Sequence, residues 1–172
     1  MSGGRFMDIT ALFNLSYGVY VVTAWNQGEA TGCVVNSAMQ ITATNPTVAI
    51  SMNRDNFTHG CITETGFFAI NVLSEDTDPV IIGKFGYQSG KNFKKFESTD
   101  WSVKGNLPVL SSAQSFIACR VIDKMETSTH TVFLGEVVDC QSLTNKTPMT
   151  YSYYHKVIKG KAPKNAPTYI EE

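Results

Sequence analysis

The sequence predicts a mainly β fold: a closed or partly closed antiparallel, Greek-key-like barrel with a few short helices inserted. Three observations predict it. At least six runs are rich in β-branched and aromatic residues. Turn residues join several of these runs as hairpins, and the helical signals are short. At 172 residues the chain has the length of one domain with a real core.

The first run, Tyr17 to Trp25 (YGVYVVTAW), is turned by Asn26-Gln27-Gly28 into Ala30 to Val35, which predicts a hairpin. After Val35 the chain becomes a small-residue polar turn, Asn36-Ser37-Ala38. Asn45-Pro46 then favours an extended chain into a strand over Thr47 to Met52. Asn56 or Asp55 caps a helix from Thr58 to Glu64 that turns Phe57 and Ile62 inward. Phe67 to Leu73 (FFAINVL) is a buried strand. Asp78-Pro79 starts a second helix through Phe85. Ser115 to Met125 and Thr131 to Gln141 form a second hairpin through Glu126–His130, and Leu12 to Ser16 supplies one helical turn. The stretch Gly83–Pro108, rich in Gly, Lys, Asn and Ser, is expected as a long functional or partner-contacting loop. Tyr151, Tyr153, Tyr154 and His155 are expected at alternate strand positions, covering a core or a dimer seam.

Composition excludes several classes. Hydrophobic content of 42% and charged content of 17% describe a folded chain, and a net charge of −1 gives no pull toward nucleic acid or an anionic membrane. No apolar run approaches the roughly 20 residues of a membrane-spanning helix. The start, MSGGRFMD, lacks the apolar core of a signal peptide, so a cytoplasmic protein is expected. Cys33, Cys61, Cys119 and Cys140 stand far apart with no C-x-x-C pair, which argues against a metal site and, without a secretory signal, against disulfides. The nucleophile elbow, the zinc-peptidase motif, the P-loop and the dinucleotide fingerprint are all missing.

Two strand ends between Ala30 and Thr58 carry the chemistry. Ser51, Arg54, Asn56 and Thr58 offer hydroxyls, a carboxamide and a guanidinium beside a helix start, which suits a phosphate. Asn36-Ser37-Ala38 suits the edge of a flat heterocycle, with Ala38 permitting close approach. Ordinary alternatives stand beside both: a surface ion pair for Arg54, and plain turn chemistry for Asn36 and Ser37. His130 is a lone histidine in a hairpin turn, and such a histidine is usually just exposed.

Taken together, these segments resemble the flavin reductase-like family, whose fold is the FMN-binding split β-barrel. The resemblance rests on Tyr17–Thr23, on Gly32 with Asn36-Ser37, on Asn45-Pro46, Asn56-Phe57-Thr58, Phe68–Leu73 and His130–Val137, and implies a single domain over 1–172 with a core over about residues 8–155 and a tail over 156–172. The ending Pro148–His155, with Lys159-Gly160 and Ala166-Pro167-Thr168-Tyr169, resembles the flavin domain of anaerobic flavin reductase–rubredoxin fusions.

The resemblance implies non-covalent FMN at the interface of a homodimer, with NAD(P)H as co-substrate. Asn36, Ser37 and Ala38 would border the isoalloxazine, and Ser51, Met52, Arg54, Asn56 and Thr58 the ribityl phosphate. Lys91 and His130 match positions that reach the flavin or its phosphate in relatives, and Tyr154 would pack nearby. The cofactor supplies the hard chemistry, so no residue is named as catalytic. The reaction implied is NAD(P)H-dependent FMN reduction. The alternatives are a flavoredoxin-like carrier working with a rubredoxin or other iron or flavin partner, and a small barrel that binds no cofactor.

Overall fold

The computed structural model describes residues 6–169. Among the described residues nine strands form: β1 (Tyr20–Asn26), β2 (Glu29–Val35), β3 (Ala38–Thr42), β4 (Thr47–Asn53), β5 (Phe67–Val72), β6 (Trp101–Lys104), β7 (Leu107–Leu110), β8 (Ser115–Glu126) and β9 (His130–Ser142). Helices α1 (Phe57–Thr65) and α2 (Pro79–Tyr87) lie between them, and α3 (Tyr151–Tyr153) runs into a π-helical turn over Tyr154–Ile158.

Seven strands form one antiparallel sheet in the order β2-β1-β5-β8-β9-β4-β3. Its two edges, β2 and β3, are consecutive in sequence and separated only by Asn36 and Ser37. Laid flat, the edges would stand roughly 29 Å apart at the usual ~4.8 Å strand spacing. Three residues of extended chain reach at most ~11 Å. The sheet must therefore curl until its edges nearly meet, which makes it a barrel with an open seam. The Ser51 N–H donates to Ser37 O at 3.1 Å and ties the seam where the two strand ends converge.

Alternation sorts the side chains of each strand. Val22, Ala24, Ile50, Met52, Phe68 and Ile70 point into the barrel core. Val21 and Leu73 lie in a second cluster, with Ile82 and Phe85 of α2 and with Phe96, Met149 and Tyr154. The β6–β7 hairpin covers Ala69, Phe116 and Ala118 with Leu107 and Val109. Buried Asn71 joins these layers: its Nδ2 donates to Val21 O (3.0 Å) and Thr23 Oγ1 (3.2 Å), and its Oδ1 accepts from Leu110 N (2.8 Å). Every polar atom of that carboxamide is satisfied, as burial requires.

The caps follow the sequence. Asn56 Oδ1 accepts from Thr58 N at the start of α1, Gly66 closes it with φ 75°, and Asp78 caps α2 ahead of Pro79. Four expectations need correction. The N-terminal turn is a 3-10 helix over Ile9–Asn14, set three residues early because Asp8 caps it. Ala38 opens strand β3 instead of ending a turn. The supposed long loop contains the β6–β7 hairpin. Finally, the tyrosine cluster is helical: Thr150 Oγ1 accepts from Tyr153 N and starts a helical turn where a strand was expected.

Candidate functional site

A concavity beside the seam has a volume of about 360 Å³. Its walls come from the end of β2 (Cys33, Val35), the end of β4 with the α1 cap (Ser51, Met52, Asn56), the segment after α2 (Gln88, Ser89, Gly90), and Lys95. The chain near the C-terminus, residues 163–167, forms a further wall. A smaller recess of about 20 Å³, lined by Asn36, Tyr151 and Tyr154, adjoins it through Val34, Val35, Pro163 and Ala166.

The C-terminal segment is strapped down by side chains. Asn36 Nδ2 donates to Thr168 Oγ1 at 2.8 Å, which also pairs with the Tyr151 hydroxyl at 2.9 Å. The hydroxyls of Tyr87 and Tyr154 both donate to Lys161 O, at 2.5 and 3.3 Å. Burial pushes the Tyr154 phenol well above its ordinary range, so it stays protonated as a donor. Gly160 lies flat against the Tyr154 ring, where a Cβ would fall 1.9 Å from Cζ. The strap can therefore cross the ring only at glycine.

The structure brings some predicted residues together and separates others. Ser51, Met52 and Asn56 share the main cavity, while Asn36 and Tyr154 share the adjoining recess. Ser37 and Ala38 lie at the seam opposite Ser51 and Ile50. Thr58 is buried one residue beyond the start of α1.

Arg54 turns away toward the β8–β9 turn. There it donates to Glu126 Oε2 (3.2 Å) and to the carbonyls of Thr127 (2.6 Å), His130 (3.2 Å) and Ser128. Lys91 is exposed on the segment between α2 and β6, outside the cavity walls. His130 pairs with Asn53 at the start of β9; its Nδ1 bonds Thr129 Oγ1, and its Nε2 is buried without a partner among the described residues.

Sequence reasoning missed Lys95, which is only 2% exposed. Its ammonium donates to Gly32 O at 2.8 Å and Phe85 O at 3.3 Å, and stands 5.6 Å from the Phe85 ring centroid. Burial holds its pKa below the usual lysine value, and burial raises that of the neighbouring Cys33 thiol. The available signal was a lysine set among Phe93 and Phe96 in an otherwise polar stretch.

Behind the α1 start lies a second polar chain. Thr131 Oγ1 donates its single proton to Glu126 Oε2 at 2.8 Å, so His59 Nε2 must be the donor in its 2.8 Å bond to Thr131. Burial lowers the His59 pKa below 6.5. Between that lowered value and 6.5 the unfolded chain binds the proton more readily, so this contribution to stability is lost as pH falls through the window. The Glu126 carboxyl is held below 4.5 chiefly by Thr131, and its contribution is lost at still lower pH. His59→Gln keeps a donor to Thr131 and should flatten the stability slope just below pH 6.5, as read by urea denaturation across that range. An unchanged slope would exclude His59 as its source.

Comparison with known proteins gives one family. Residues 12–160 match the model of the flavin reductase-like domain. The chain is 34% identical over 167 residues to a ferric-chelate reductase (NAD(P)H) of Archaeoglobus fulgidus, covering 96% of this chain and 99% of that one. It is 38% identical over 165 residues to a high molecular weight rubredoxin of Moorella thermoacetica, covering 95% and 72% respectively. Among solved structures, an NADH:FAD oxidoreductase of Streptomyces globisporus superimposes with a TM-score of 0.75 at 23% identity, over 86% of this chain and 92% of that one, which shows a shared fold.

Proposed function

The chain belongs to the flavin reductase-like domain family, and from that membership we propose that it is an NAD(P)H-dependent flavin reductase holding non-covalent FMN. The observation that carries this reading is the match over residues 12–160, together with a polar-lined cavity at the two converging strand ends. A volume of about 360 Å³ is of small-molecule size. The donors around it fit a flavin: the Ser51 and Ser89 hydroxyls, the Asn56 carboxamide and a buried ammonium. When bound, FMN supplies hydride acceptance from the nicotinamide and passes electrons onward.

The protein's part is to bind, orient and shield. Asn36, Ser37 and Ala38 border the ring edge at the seam. Ser51, Met52, Asn56 and Thr58 surround the ribityl phosphate end. The cap bond from Thr58 N to Asn56 Oδ1 fixes the Asn56 carboxamide in place. Asn36, with both ends of its carboxamide bonded to Thr168 and Ser37, holds the strap that keeps water from the recess. The Moorella relative's name supports a rubredoxin or similar redox protein as electron acceptor.

A homodimer completes the reading. The N-terminal segment exposes Phe6, Met7, Leu12, Phe13 and Leu15, and the β3 edge exposes Met39 and Ile41. Apolar groups of that extent mark an interface. The test is a fluorescence titration of the apoprotein with FMN and FAD, beside light scattering of the loaded protein. Tighter binding of FMN and a dimeric mass are expected. Preference for FAD would overturn the cofactor assignment, and a monomer the assembly.

A further inference from the structure

We propose that the Lys95 ammonium is the charge partner of a phosphate monoester in the seam cavity, so that the site selects phosphorylated flavin over riboflavin. The inference deepens the functional reading above and rests on it for the identity of the ligand.

Lysine is seldom fully buried unless it is paired. Lys95 is 2% exposed, yet among the described residues no carboxylate lies within ion-pair distance of it. Its two bonds go to neutral carbonyls, Gly32 O and Phe85 O. An ammonium carries three donors, so one is left over, and Lys95 forms part of the cavity wall. Asp55 lies on the same wall without pairing to it.

The surroundings suit a compact anion. Ser51 and Ser89 line the same cavity, and the N-terminus of the nine-residue helix α1 opens beside it at Asn56. Of the other nearby cations, Arg54 is bound to the β8–β9 turn and Lys91 is exposed outside the walls, while Lys164 lines the cavity from the C-terminal wall but is exposed to solvent, where a charge is screened and contributes less. Burying an ammonium without an anionic partner costs free energy, and a phosphate would recover part of it through a charge-assisted bond.

The decisive measurement is the ratio of riboflavin to FMN dissociation constants. Lys95→Gln retains donors for Gly32 O and Phe85 O and removes the charge; Lys95→Met removes both. In Lys95→Gln the FMN constant should rise about 10- to 100-fold, the range of a bond to a charged group, with riboflavin affinity unchanged. Arg54→Gln, Lys91→Gln and, on the exposed wall, Lys164→Gln should leave the ratio as it is, and a change with Lys164→Gln alone would overturn the assignment to Lys95.

Equal weakening of both flavins would make Lys95 a structural staple and overturn the proposal. A raised NADPH KM with an intact flavin ratio would overturn it too, by assigning Lys95 to the dinucleotide's phosphate. Inorganic phosphate provides an arm free of flavin: millimolar phosphate should raise the Tm of the wild type and not of Lys95→Gln. If the wild type binds neither flavin, the functional reading fails, and the phosphate arm alone decides the anion site. Should Lys95→Gln fail to fold, phosphate protection of the wild type against urea decides it, no protection overturning it.

Discussion

Truncating Phe68 to alanine is expected to lower the unfolding free energy by about 3–5 kcal/mol, the range for emptying a large aromatic site. Phe68 is fully buried on β5, inside the curl of the seven-stranded sheet. Its ring lies against Gly135 of β9, where an added Cβ would stand 2.8 Å from Phe68 Cζ and 2.7 Å from Cys119 Cβ. The ring fills the barrel only because position 135 has no side chain. Gly135→Ala should therefore destabilise by about 1–3 kcal/mol through overpacking. In the double variant the new methyl group partly fills the space Phe68 vacates, so the combined cost should be smaller than the sum. Urea denaturation of the four proteins measures the coupling. Strict additivity would mean that the two positions do not share the space. Cys33 and Met52, which line the seam cavity, belong to the same core cluster, so flavin binding in Phe68→Ala should fail at a lower temperature than in the wild type.

Gly90→Ala is expected to weaken flavin binding strongly. An added Cβ would lie 2.6 Å from Thr31 Oγ1 and 2.9 Å from the Phe57 ring. Neither neighbour yields easily: Thr31 is buried on β2, and Phe57 begins α1 beside the Asn56 cap. Residues 88–90 must then move away from α1, and they form a wall of the cavity. A strain of about 1–3 kcal/mol, if relieved by opening that wall, appears as a loss of affinity of roughly 5- to 150-fold. Thr31→Ala in the same chain removes the nearest clash and should restore part of the loss. A titration showing unchanged affinity in Gly90→Ala would place the flavin away from this wall.

Much of this architecture was legible because local chemistry and tertiary structure agree. The Asn26–Glu29 turn places Gln27 and Gly28 at φ 50° and 85°, so the first hairpin follows from its turn residues. Asn56 and Asp78 cap the helices their positions suggest. The β6–β7 hairpin was hidden by its surroundings. Its loop, Gly105-Asn106, has φ 54° and 61° and is a type I′ signal, but Trp101–Lys104 is short and half-exposed, and Pro108 interrupts the opposite strand. That proline is tolerated because its carbonyl, accepting from Thr23 Oγ1 at 2.5 Å, faces the main sheet. The tyrosine cluster misled because tyrosines favour strands, whereas the Thr150 cap and packing on Phe85 and Leu73 decide the helix.

The candidate site was legible where side chains lie close in sequence and obscure where the curl of the sheet brings distant segments together. Ser51 and Asn56 follow from a strand end and a helix cap. Lys95, Gly90 and the strap at 163–168 enter the site only through α2 and the chain's return across the tyrosines. Arg54 carried the right chemistry in the right stretch, but three carbonyls and a carboxylate in the β8–β9 turn hold its guanidinium. Charge alone does not reveal which cations line the cavity: Lys95 and Lys164 do, and Arg54 and Lys91 do not.

A flavin reductase passes electrons from a nicotinamide to its flavin. The most direct test is an anaerobic titration of the FMN-loaded protein with NADH and, separately, with NADPH, followed by flavin absorbance. Bleaching by at least one nucleotide is expected, with one flavin reduced for each nicotinamide oxidised. A bound flavin that stays oxidised with both nucleotides, yet bleaches with dithionite, would contradict it.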